Sequence, residues 1–314
     1  MLRIVFVGIG AGIAAALLFA SVVSGALLSV LLFYLAPLPI MIAALGWSHW
    51  AGLIAATVSS ASLAAALGIH FCLAFVIGVA LPAWWLGYLA LLARPNPVDN
   101  DVEWYPAGRL VLWSAAIGSL IVIAAIPQFG LDRQSFQAGL KTALQYLFHP
   151  QSETSGTSDT TAMIDLLVLA VPPLAAFVST LTLAFNLWCA GSIVRISGRL
   201  QRPWPDIPTM TFPKFAPALL AAAVIGAFLP GMLGLVSGIL TASLFMAYAL
   251  LGFCVLHAIT RAMRSRGFLL AGTYAAVVVL GWPVLIMTVL GLADAALNLR
   301  ARIGFNRPPP VSRS

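Results

Sequence analysis

The sequence predicts an all-α protein, a polytopic transmembrane helix bundle of about eight passes closed by a C-terminal short helical hairpin, and three observations predict it. The chain of 314 residues is 61% hydrophobic and only 8% charged, against ~25% charged in an average soluble domain. From Ile4 to Ala93 it carries no formal charge, with Arg3 before that run and Arg94 after it. One hydrocarbon crossing takes ~20 apolar residues, so the run alone accounts for four. No hydrophilic stretch is long enough to fold around a core of its own, and 1–314 reads as a single integral membrane domain.

Residues that break helices bound each pass. Ser24-Gly25, Pro37 with Pro39, Trp47-Ser48-His49-Trp50, and Gly68 to His70 divide a four-helix N-terminal block, 1–93, into passes at 4–22, 26–46, 51–68 and 71–93. The opening Met1-Leu2-Arg3 and its apolar run to Ala20-Ser21 has the form of a signal peptide. The apolar character continues past Gly25, so an uncleaved first helix is expected. Arg94-Pro95-Asn96-Pro97, with Asp99, Asp101 and Glu103, is a loop, because proline removes a backbone donor and restricts its predecessor. A fifth pass follows at 109–126. In the polar segment 127–162, Phe136, Leu140, Leu144 and Leu147 recur at helical spacing, which predicts an amphipathic helix on the membrane surface. Ser152 to Thr161 reads as a flexible tract. The sixth pass, 163–194, is kinked at Pro172-Pro173. The loop 195–214 is strongly basic, with Arg195, Arg199, Arg202 and Lys214 around Pro203-Trp204-Pro205, and passes seven and eight fill 215–260 on either side of Pro230-Gly231.

Charge sets the expected orientation. With the N-terminus cytoplasmic, alternation puts 94–108, 195–214 and 261–266 on the cytoplasmic side, and these loops hold most of the arginines. The segment 127–162 falls outside as an extracytoplasmic loop, with Asp132, Glu153 and Asp159 against Arg133 and Lys141. The net charge of +7 is thus explained by orientation in a bacterial inner (plasma) membrane rather than by nucleic acid. A single last pass at 267–299 would place Arg300, Arg302, Arg307 and Arg313 outside. A break at Gly281-Trp282-Pro283 instead makes two helices of ~15 residues, each ~22 Å long, that dip and return to a cytoplasmic tail at 300–314. The cysteines Cys72, Cys189 and Cys254 lie in apolar runs and are odd in number, so a disulfide framework is not expected.

Three groups of residues stand out. Gly8, Gly12, Ala16, Ala20 and Ser24 repeat every fourth position of helix 1 and line one face. Small residues let helix backbones approach, so this face packs either on the chain's own helices or on a partner subunit. Trp47, His49, Trp50, His70, Trp84, Trp85 and Tyr88 gather at the ends of passes two to four, and form either a ligand cage or an interfacial aromatic belt. Asp165, Asn186, Asp294 and Asn298 are polar groups in or near the membrane, where such groups are costly. Asp294 and Asn298, one turn apart, read as a polar clamp with an arginine or a backbone donor of a neighbouring helix, or as part of a substrate site. The chain lacks a GxxxxGK[ST] loop, an HExxH pattern and paired cysteines, so no cofactor or metal is expected. Ser237 and His257 stand twenty residues apart, ~30 Å along one helix, too far to form a dyad, and the chain is not expected to be an enzyme.

Phe33-Tyr34-Leu35-Ala36-Pro37-Leu38-Pro39-Ile40, followed by Gly46 and Gly52, resembles the Pro-x-Pro second segment of the YybS-like bacterial membrane proteins. Leu251 to His257 and the ending Leu290 to Arg302 look like that family's last blocks, and the resemblance runs in order along nearly the whole chain. That family is in turn similar, in its N-terminal helices, to the substrate-binding S components of energy-coupling-factor vitamin transporters. The resemblance implies a small-molecule capture subunit without its own ATPase, docked through a face such as Gly8 to Ser24 onto an energy-coupling transmembrane subunit with ATPases. Its site would lie between helices 2 to 4 and the C-terminal hairpin. The alternative is a non-catalytic scaffold that assembles other membrane proteins.

Overall fold

The computed structural model describes residues 1–95, 102–148 and 158–302, without the side chains of 147, 148 and 158–161. Asp99, Asp101, most of the Ser152 to Thr161 tract, Arg307 and Arg313 lie outside the described residues, as does the side chain of Leu147.

The chain is an all-α bundle, and among the described residues seven helices are long and apolar enough to cross a membrane. Helix α1 (Leu2–Ala20) continues as a 3-10 turn to Ser24 and stops at Gly25, whose φ of 67° is open to glycine at no steric cost. The second span is broken into α2 (Leu27–Tyr34) and α3 (Pro37–Gly46). Pro37 and Pro39 cannot donate to the helix, and Leu38 N–H bonds Leu35 instead, so the Tyr34 carbonyl loses its helical partner. Asn186, on a distant helix, replaces that partner: its Nδ2 donates to the Tyr34 carbonyl at 2.9 Å. Helix α4 (His49–Leu67) starts at Ser48, whose hydroxyl accepts from the Ala51 N–H, and ends at Gly68. The fourth span is α5 (Ile69–Phe75), a π turn over Val76–Ala80, and α6 (Leu81–Ala90). Pro82 lacks the N–H that regular winding would use there, which accounts for the wider turn.

Strands β1 (Ala93–Pro95) and β2 (Val102–Trp104) form a small antiparallel hairpin that pairs Arg94 with Glu103. Helix α7 (Ala107–Ala125) follows, then α8 (Arg133–Phe148) and the 39-residue α9 (Ser158–Ile196), which runs unbroken through Pro172 and Pro173. Helix α9 begins at Ser158, so the end of the tract read as flexible is helical. The apolar face that the amphipathic pattern of helix α8 predicts is turned to the rest of the chain. Phe136, Leu140 and Leu144 are buried among Ile126, Ile164, Val168 and Ile239, so α8 caps the end of α7, α9 and the later α11. Lys141 also pairs with Asp165 of α9. The amphipathic period states only that one face is apolar, and the bundle end covers that face here.

The remaining elements are α10 (Ala216–Ala227), α11 (Gly231–Ile259), α12 (Arg266–Leu280), α13 (Val284–Leu297) and α14 (Leu299–Arg302). The seventh expected pass is helical only in part: α10 has 12 residues, ~18 Å of helix, less than the ~30 Å hydrocarbon core, so the segment before it supplies the rest of the path to the start of α11. Before it, Ile207 to Phe215 is largely non-helical backbone that packs Met210 and Phe212 against α11. Helices α12 and α13 break at Gly281, φ 72°, and form the expected C-terminal pair of short helices.

Helix α11 is the axis of the C-terminal half. It is apolar all round and buries Gly234, Ser243, Ala247, Tyr248, Leu251 and Val255, among others, against α7, α9, α10 and α13. The N-terminal half has a separate core built by α1, α3, α4 and α6 around Ile40, Met41, Phe75 and Leu86.

Candidate functional site

The C-terminal polar clamp is assembled by a chain reversal. Helix α13 ends at Asn298 in the left-handed region, φ 50°, a conformation that asparagine tolerates better than most residues. The reversal brings α14 back over the last turn of α13. Arg300 then donates its backbone N–H to Asp294 Oδ1 at 3.1 Å, and its Nε and Nη2 to Asp294 Oδ2 at 2.9 and 2.6 Å. Its Nη1 reaches across the bundle to the Pro208 carbonyl at 2.7 Å. Both side chains are buried, Asp294 4% and Arg300 5% exposed, and each neutralises the other's charge. A cleft of about 90 Å³ adjoins the pair, lined by Thr209, Thr211, Phe212, Leu251 and Asn298. Ligand pockets are typically ~300–1,000 Å³, whereas a water takes ~30 Å³ of liquid. The cleft has the volume of a few waters, not of a vitamin.

The second group is aromatic and lies at one end of the N-terminal core. Tyr88 stacks on Trp84 at 6.0 Å, sits 5.7 Å from Trp85 and meets the His49 ring at 5.5 Å. Trp85 meets Trp113 edge-on at 5.8 Å, and Trp113 donates Nε1 to the Tyr105 hydroxyl. The basic loop closes over this end. Arg199 lies 4.8 Å above the Trp47 ring, Gln201 donates to the Trp47 carbonyl at 2.8 Å, and Arg202 Nη1 donates to the Ala90 carbonyl at 3.1 Å. Arg195 lies 5.1 Å above Trp204. Burial pulls the pKa of Arg202 below the usual arginine value. Its Nε, and Nε1 of Trp84, are buried donors without an acceptor among the described residues.

The structure does not gather the eight substrate-binding candidates into one site. Trp47, His49, Trp84 and Trp85 share the aromatic end, with Trp50 beside His49 but largely exposed. His70 begins the other end of the fourth span, ~21 Å of helix from Trp84, and is exposed. Asp294 and Asn298 belong to the separate C-terminal cleft, because α13 packs chiefly on α11 and only lightly on α10. The lining of the Asp294 cleft includes none of the N-terminal candidates.

The small-residue face also finds its place inside the chain. Gly8 and Gly12 are buried on α4, and a Cβ on either would overlap Ile54 or the Ala55 carbonyl and Val58. Ala16 is buried too, and only Ala20 and Ser24, at the end of the stripe, retain exposure. Close approach of two backbones, the property that suits this stripe to a partner, is used by α4.

Sequence reading missed the parts played by Arg199, Gln201, Arg202 and Pro208. These residues act over separations of 92 to 154 positions, for which no local spacing exists. The one available signal was the concentration of arginine around Pro203-Trp204-Pro205. Comparison with protein-family models, with curated proteins and with solved structures finds no match to this chain.

Proposed function

We propose that this chain is a non-catalytic assembly scaffold of the bacterial inner membrane, with its N-terminus and its arginine-rich end in the cytoplasm. The observation that carries the reading is how the candidate capture residues are used: the rings of the N-terminal end pack on one another, and the polar cleft beside Asp294 has a volume of about 90 Å³. A capture subunit needs an enclosed space several times larger. A scaffold needs lateral surface, and α12 offers fifteen residues of which none is buried. The orientation follows from charge: among the described residues, only Arg133 and Lys141 of the basic side chains belong to the α7–α9 connection, on the side opposite the basic loops. Ser237 and His257 lie on the single helix α11, ~30 Å apart along its axis, so these two residues do not pair.

The test is copurification of the tagged chain from native membranes in mild detergent, with identification of every polypeptide recovered. Reproducible recovery of envelope or membrane assembly proteins is the expected result. Recovery of an energy-coupling transmembrane subunit with its ATPases would overturn it and restore the capture reading, for which the polar lining of the Asp294 cleft would then be the entry point.

A further inference from the structure

We propose that the basic loop and the aromatic end of the N-terminal core form a binding site for the phosphate headgroup of an anionic phospholipid in the adjacent leaflet. The site is built from Trp47, Tyr88, Arg199 and Arg202, with Arg195 and Trp50 at its margins. Arg199 rests on the ring of Trp47 and Arg195 on that of Trp204. A guanidinium held over a ring keeps its edge N–H donors for another acceptor. Arg202 spends one donor on the Ala90 carbonyl and buries Nε with none.

Among the described residues, no carboxylate forms an ion pair with these arginines: the ion pairs join Arg94 to Glu103, Lys141 to Asp165 and Arg300 to Asp294, and none reaches Arg195, Arg199 or Arg202. A phosphate would supply both the missing charge and several acceptor oxygens in the fork geometry that arginine favours. The source is the bilayer, because the arginines stand where apolar spans end, among tryptophan and tyrosine, the level at which headgroups lie. Trp50, 59% exposed, lies beside His49 at the same end. The site requires only that the chain lie in a membrane, and holds for a scaffold and for a capture subunit alike.

The experiment titrates the full chain in mild detergent with phosphatidylglycerol, with phosphatidylcholine, and with glycerol phosphate as the headgroup without acyl chains, reading Tm. The expected result is stabilisation by phosphatidylglycerol alone. Its apparent affinity should fall about fivefold in Arg199→Gln and by a similar factor again in Arg199→Gln with Arg202→Gln. Arg133→Gln, on the other side of the bundle, should leave it unchanged. If Arg202→Gln does not fold, Arg199→Gln decides, since that guanidinium rests on a ring rather than on a backbone carbonyl. Equal stabilisation by phosphatidylcholine, equal stabilisation by glycerol phosphate, or wild-type affinity in Arg199→Gln would each overturn the proposal.

Discussion

Helices α12 and α13 are the two arms of one hairpin, 15 and 14 residues long and both rich in Leu, Val, Ala and Gly, yet the fold treats them oppositely. Helix α13 buries Met287, Thr288, Gly291 and Asp294. Its backbone meets that of α11 at Gly252 and Gly291, where an added Cβ would overlap the Met287 or Tyr248 carbonyl. Thr288 Oγ1 donates to the Phe245 carbonyl at 3.1 Å, and the Asp294–Arg300 pair closes the far end. Helix α12 buries no residue. It touches α11 through Tyr274, whose ring stacks on Phe253 at 5.0 Å and whose hydroxyl shares a 2.9 Å hydrogen bond with His257 Nε2. Apolar composition takes both arms out of water but cannot choose between lipid and protein, since lipid tails are as apolar as leucine. Glycine contacts and buried polar bonds make that choice.

The contrast can be broken most severely at the clamp. Asp294→Ala leaves Arg300 buried without its carboxylate and should cost about 3–5 kcal/mol, read by denaturant titration in micelles. Asp294→Leu combined with Arg300→Met should recover most of that loss, because desolvation of both charges disappears. If the single variant is as stable as wild type, the pair does not hold α13. Next in size, Gly252→Val should push α13 off α11 and cost about 1–3 kcal/mol, whereas Gly272→Val on α12, where a Cβ meets nothing within 4 Å, should not. Equal losses at the two glycines would remove the distinction drawn here.

A smaller effect is expected at the opposite side of the bundle, where α8 is held by its cap as well as its apolar face. Asp132 accepts from the N–H groups of Gln134 and Ser135 and from the Ser135 hydroxyl, and these bonds, the Ser135 hydroxyl first, hold its pKa below the usual aspartate value. A depressed carboxylate pKa contributes stability above the unfolded value near 3.8 and loses it as pH falls through the folded one. Protection of α8 amides from hydrogen exchange should therefore weaken at acid pH in the wild type, and be weak at every pH in Asp132→Ala. The least effect belongs to α12: Val278→Ala and Val279→Ala, both largely exposed, should stay within about 0.5 kcal/mol.

Much of this fold was legible along the chain because apolar length and helix breakers are local. The boundaries at Gly25, Ser48, Gly68 and Gly281 follow from single residues, and the first six passes lie close to where the pattern puts them. The candidate site was legible only in its parts. That Asp294 needed a partner could be read, but not that the reversal at Asn298 supplies Arg300 from the same segment. The aromatic residues could be collected by name, yet His70 falls a full span away because a helix separates its ends by 1.5 Å per residue.

By itself the sequence determined that this chain leaves water, that it does so as helices, and where most of those helices stop, because each of these rests on composition or on the backbone chemistry of glycine and proline. Tertiary structure alone decided which apolar faces meet protein and which meet lipid. It turned Gly8 and Gly12 toward α4, laid α8 across the bundle end, exposed α12 and set Arg202 on the Ala90 carbonyl. In a bilayer the hydrophobic effect no longer ranks those alternatives, and close packing and buried hydrogen bonds, formed between residues far apart in the chain, decide them.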